Sequence, residues 1–86
     1  MPQRMMSDEQ LMNLMRLSRI QLESAVQTWK MGMKVLQVDS FEYIAICEAG
    51  KKAQHLHAML YELAFERGVS EELRNEVFSP TQYSFD

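Results

Sequence analysis

Few residues in this chain could do chemistry, and each has a plainer use. His55 and His57 invite a metal-pair reading, but two positions apart on a helix is about 200° around the axis, so the imidazoles diverge and cannot share one ion. His55 falls on a charged strip and His57 borders an aromatic row. Cys47 stands one turn before Lys51, and a nearby ammonium favours the thiolate. No histidine or carboxylate stands in a recognisable catalytic relation to it, so a small buried apolar cysteine is the better reading. Thioether pairs such as Met5-Met6 and Met31-Gly32-Met33 suit Cu(I). Without a third soft donor beside them, pliable packing at an interface accounts better for the methionines. The residues therefore imply no catalytic group, no metal and no cofactor, and the chain reads as a non-enzyme.

One segment imitates a nucleic-acid motif. Leu63-Ala64-Phe65-Glu66-Arg67-Gly68-Val69-Ser70 resembles the centre of a helix-turn-helix, with a small alanine four residues before the turn glycine. A recognition helix offers Arg, Lys, Asn or Gln to the groove. Here Glu71, Glu72 and Glu76 follow, and Arg74 takes the place of a buried aliphatic. A glycine stop and a serine cap explain the same letters. The net charge of −3 also runs against a dedicated nucleic-acid binder. A small DNA-binding regulator built around Gly68 remains the alternative to the reading below.

The elements that carry these residues can be bounded by their caps. Ser7 with Gln10 forms a capping box, Asp8 and Glu9 favour the positive end of the dipole, and a first helix is expected over about 8–36. Either Asp39 with Glu42 or Ser40 alone starts a second helix, which Gly68 stops, giving about 41–67. Ser70 opens a short third helix to about residue 78, where Ser79-Pro80 ends it, and an irregular tail follows over 79–86. The whole chain, 1–86, reads as a single α-helical domain. The four-residue connection makes the two long helices an antiparallel hairpin, each roughly 40 Å long.

Both long helices carry two apolar stripes. The facing stripes are expected to be Leu11, Leu14, Met15, Leu22, Ala25, Val26, Trp29, Met33 and Leu36 against Ala45, Ile46, Ala49, Ala53, Leu56, Leu60, Leu63 and Ala64. A second row on the first helix holds Leu17, Ile20, Ser24, Thr28, Met31 and Val35. On the second helix the second row is Tyr43, Cys47, Gly50, Gln54, Ala58, Tyr61 and Phe65, aromatic at both ends and small at Gly50, where another helix could approach closely. Leu17, Ile20, Met31, Val35, Tyr43, Cys47, Gly50, Ala58, Tyr61 and Phe65 are thus the candidate partner-binding residues.

An 86-residue domain buries only about 60% of the surface its unfolded chain exposes. One cysteine excludes an internal disulfide, which leaves association as the available staple. A third helix and tail folding back over the second rows would make a monomeric core, but about eight helical residues are short for two rows of nearly thirty. The expectation is an all-α hairpin of two long helices plus a short C-terminal helix that completes a four-helix bundle as a homodimer. Its function is that of a protein–protein interaction module, a small adaptor, chaperone or regulator, binding itself or a heterologous partner helix. No stretch of eighteen apolar residues offers a membrane span and the N-terminal residues hold no apolar run, so a cytoplasmic location is expected.

Overall fold

The computed structural model describes residues 6–77 and 82–86. Its elements are α1 (Asp8–Val35), α2 (Phe41–Glu66) and α3 (Glu71–Val77), with no strand among the described residues. Local chemistry sets these bounds. Ser7 Oγ accepts from the Gln10 backbone N–H at 3.1 Å while Gln10 Oε1 accepts from the Ser7 N–H at 2.8 Å, the reciprocal pair that satisfies two otherwise free donors. For α2 the cap is Ser40, whose hydroxyl accepts from the Tyr43 N–H at 3.2 Å and donates to the Gln37 carbonyl at 2.7 Å. Phe78 and residues 79–81, expected to end the third helix and begin the tail, lie outside the described residues. Residues 82–86 carry no regular structure.

Gly68 ends α2 with a φ of +76°. Around it the Val69 N–H donates to the Ala64 carbonyl and the Gly68 N–H to the Phe65 carbonyl, both at 3.0 Å. These are the two crossed bonds of a Schellman stop, and Val69 and Ala64 also share one apolar cluster, the contact that usually accompanies it. The turn throws α3 back across the open end of the hairpin. There Leu11, Met12 and Met15 of α1 pack with Ala64, Val69 and Val77. Arg74 fastens α3 to α2, with its guanidinium 5.2 Å from the Tyr61 ring centre and 4.9 Å from that of Phe65. It also donates to the Tyr61 hydroxyl and to the Val69 carbonyl, each at 3.1 Å. Arg19 of α1 donates to the Glu76 carbonyl near the end of α3 at 3.2 Å.

A second cluster sits near the hairpin turn, where Leu22 and Val26 of α1 meet Tyr43 and Cys47 of α2 and Phe85 of the tail. Tail and third helix therefore lie over the same row of α2, and the Cα trace is a slab of 45 × 33 × 15 Å. Leu11, Met15, Leu22 and Val26 are buried as expected on α1, whereas Leu14 and Met33 are exposed.

Toward the turn end of α2 the expected faces are exchanged, while Ala64 is buried and Ala58 and Phe65 are exposed as expected. Tyr43, Cys47, Gly50 and Ala64 are buried, while Ala45, Ala49 and Leu56 are exposed. The aromatic and small row expected to face outward is the row that the chain's own C-terminal residues cover. That row offers the tail what the alanine row lacks: hydrogen bonds from Tyr43 to Asp86 and between Gln54 and Tyr83, and a notch at Gly50 for the Phe85 ring.

Because a Cβ at Gly68 meets open space but would force an L-residue into the left-handed region, Gly68→Ala is expected to lower stability by about 1–2 kcal/mol. Urea unfolding followed by circular dichroism measures this. An unchanged or raised midpoint would contradict the assigned turn.

Candidate functional site

The chemistry-bearing side chains come together at one unexpected place. His57 is buried, its Nδ1 lying 2.7 Å from Ser18 Oγ across the α1–α2 interface. The serine hydroxyl also donates to the Met15 carbonyl at 2.8 Å. A hydroxyl has one proton, so with that proton on Met15 the imidazole is the donor to Ser18, which puts the histidine proton on Nδ1. This is the reverse of the polarity that activates a serine nucleophile, in which the hydroxyl donates to the histidine. The pair serves as a polar bolt between the long helices. Burial holds the His57 pKa below its ordinary 6.5, and the Arg19 charge acts in the same direction. His55 is exposed, so the two histidines occupy different environments.

Two concave surfaces flank the hairpin, one filled and one open. The filled slot lies over Tyr43, Cys47 and Gly50, and the ring of Phe85 occupies it, only 1% exposed. Gly50 is the notch that admits the ring: a Cβ there would fall 2.5 Å from Phe85 Cε1 and 2.7 Å from its Cγ. Trp29 meets Phe85 edge-on with centroids 5.3 Å apart. Gln54 pairs with the tail backbone, its amide donating to the Tyr83 carbonyl at 3.0 Å and accepting from the Tyr83 N–H at 2.7 Å. The Tyr43 hydroxyl donates to the Asp86 backbone carbonyl. The close contact expected at Gly50 is thus present, and a ring of the tail makes it where a helix was expected.

The open groove has a volume of about 740 Å³ and is lined by Ile20, Ser24 and Thr28 of α1 with Ala45, Ala49 and Leu56 of α2. Its shape follows from side-chain size. Serine, threonine and alanine make a low floor, Ile20 and Leu56 stand among its walls, and Gln21 and Lys52 contribute polar groups. Thr28 and Ile46 continue it into a second hollow of about 420 Å³ with Met31, Val35 and Leu36, where no charged side chain contributes. Ile20, Met31 and Val35 are each about 60% exposed or more, at 62%, 59% and 67%.

The ten candidate residues therefore divide among several surroundings. Ile20, Met31 and Val35 join the open groove; Tyr43, Cys47 and Gly50 line the filled slot. Leu17 lines a separate hollow with Met6, Gln10, Asn13 and Leu14. Tyr61 and Phe65 lie under the Arg74 guanidinium, and Ala58 is exposed. Sequence reasoning assigns no role to Ser18 or Phe85, sets His57 beside the aromatic row, and puts Ala45 and Ala49 on the inner face, whereas the structure has these alanines lining the groove. A serine and a histidine that fall on the Leu11, Met15, Leu22 and Leu60, Ala64 sides at helical spacing are the signal that could have found the bolt. Around the helix-turn-helix imitation, Glu71, Glu72 and Glu76 are exposed while Arg74 turns back on α2.

Comparison of the chain with protein-family models, curated proteins and solved structures returns no match.

Since His57 has a lower pKa folded than unfolded, the unfolded chain takes up the extra proton first, and protonation favours unfolding. Its contribution is fully present above the unfolded value of about 6.5 and is lost as pH falls below it, levelling off once the folded value is passed. Urea midpoints taken from about pH 7.5 to about pH 5.5 should fall on acidification, and His57→Gln should flatten that slope. A wild-type midpoint that rises over this interval would overturn the assignment.

Proposed function

We propose that this protein is an interaction module that works without catalysis, using the open groove between α1 and α2 to receive an amphipathic helix. The observation that carries the reading is that groove: exposed apolar walls over a floor of small residues, on the side of the hairpin that the tail and α3 leave bare. Helical domains normally bury their stripes between two packed layers, and the groove side of the hairpin has no second layer among the described residues. Small side chains let a helix backbone come close, and Ile20, Ile46 and Leu56 give it apolar walls, the arrangement by which grooves hold helices.

A second copy is the first occupant proposed, because the groove is itself lined by two helices of matching character. Two hairpins related by a two-fold axis would place the same surface on both sides of a four-helix bundle. Adaptor, chaperone or regulator are the roles such a module fills when a different helix replaces the second copy. The DNA-binding alternative finds little support in the geometry, since the exposed side of α3 is acidic and its one arginine is engaged with Tyr61.

Light scattering from micromolar to millimolar concentration should show a mass that rises to about twice the 10.1 kDa chain mass. Ala49→Glu puts a carboxylate on the exposed groove floor, so it should return the mass to that of one chain while leaving helicity unchanged and lowering the unfolding midpoint only to the extent that the dimer had raised it. A wild-type monomer throughout, or a dimer untouched by Ala49→Glu, contradicts self-association through this face. Duplex DNA binding that weakens steeply with salt would favour the alternative.

A further inference from the structure

We propose that the filled slot is a peptide-recognition site, and that residues 83–86 are its ligand bound in cis. Its ligand is a peptide carrying an aromatic ring two residues after another aromatic, in the manner of Tyr83-Ser84-Phe85. The proposal concerns the opposite side of α2 from the open groove and does not depend on what that groove binds.

The contacts are divided as a recognition site divides them. Three hydrogen bonds go to main-chain atoms of the tail: the paired ones between Gln54 and Tyr83, and the one from the Tyr43 hydroxyl to Asp86. A side-chain amide that both donates to the carbonyl and accepts from the N–H of one residue satisfies that residue's main-chain pair, and it does so whatever side chain is attached. Selectivity comes from the notch at Gly50, which is deep enough for a flat ring and has Trp29 at its edge. The tail's own Ser84 and Asp86 bond to each other and add no side-chain contact to the slot among these hydrogen bonds.

One further observation shows that the cis ligand leaves the site incompletely satisfied. Trp29 Nε1 is buried beside the slot without an acceptor among the described residues. A buried donor left unpaired is unfavourable, and a peptide that brought a carbonyl or hydroxyl oxygen to that atom would bind better than the tail does. The slot is therefore open to exchange by a ligand of the same kind offered in trans.

The test uses the full chain carrying Phe85→Ala, which keeps the tail but removes its anchor, and an acetylated synthetic peptide of the sequence Gln-Tyr-Ser-Phe-Asp. Trp29 is the chain's one tryptophan, so its fluorescence reports the slot directly. The variant should bind the peptide saturably and at least about tenfold more tightly than wild type, in which the cis tail competes at high effective concentration. A peptide with alanine for phenylalanine should not bind, and adding Gly50→Leu to the variant should abolish binding. If the Phe85→Ala chain keeps its helicity yet shows no saturable response at millimolar peptide, the proposal is wrong. Should that chain lose helicity, the peptide must restore it in trans; failure to restore it overturns the proposal equally.

Discussion

A helical hairpin has two sides, and the described residues after α2 lie over one of them. The helices α1 and α2 pair along their length, and residues 67–77 and 82–86 follow them in the described structure. Those residues form a short third helix over the open end and a tail that reaches the turn end at Tyr43, all along the same row of α2. The covered side holds every fully buried large side chain, from Leu11 to Phe85. Apolar area on the other side stays in water, at a cost of roughly 25 cal/mol for each Å² that a partner could have removed.

Polar groups fix which side is covered. Burying a hydroxyl or imidazole without a partner is unfavourable, and Ser18 and His57 avoid that only in the rotational setting that brings them within 2.7 Å of each other. Turning α2 to put Ala45 and Ala49 inward would break that bond and strip Gln54 and Tyr43 of their bonds to the tail. Arg74 and Arg19 do the same for α3, one through two aromatic faces and the other through a helix-end carbonyl. The rotation of the helices is thus specified by a handful of hydrogen bonds rather than by the amount of apolar surface, which is similar on either side of α2.

That similarity explains what the sequence makes legible. The helix bounds were readable because Ser7, Gln10, Ser40, Gly68 and Ser70 act on their own neighbours, and the structure places each within a residue of its expected end. On α1, where one row is clearly the more apolar, Leu11, Met15, Leu22 and Val26 could be assigned to the core from spacing alone. On α2 both rows are apolar, and choosing between them needed a contact across more than thirty residues, Phe85 on Gly50. Such a contact has no periodicity to announce it. The candidate residues followed the same division: Ile20, Met31 and Val35 on α1 share the open groove, while Tyr43, Cys47 and Gly50 belong to the slot.

The central claim is that the hairpin has one side closed by its own chain and one side left to meet another helix. Methyl-resolved NMR of the full chain over a hundredfold range of concentration tests it most directly, because isoleucine, leucine and valine methyls report both sides in one spectrum. The account predicts that Ile20, Ile46 and Val35 methyls shift with concentration while those of Leu11, Leu22 and Val26 stay fixed. Concentration-dependent shifts confined to Leu22 and Val26, with Ile20 and Ile46 unmoved, would contradict it.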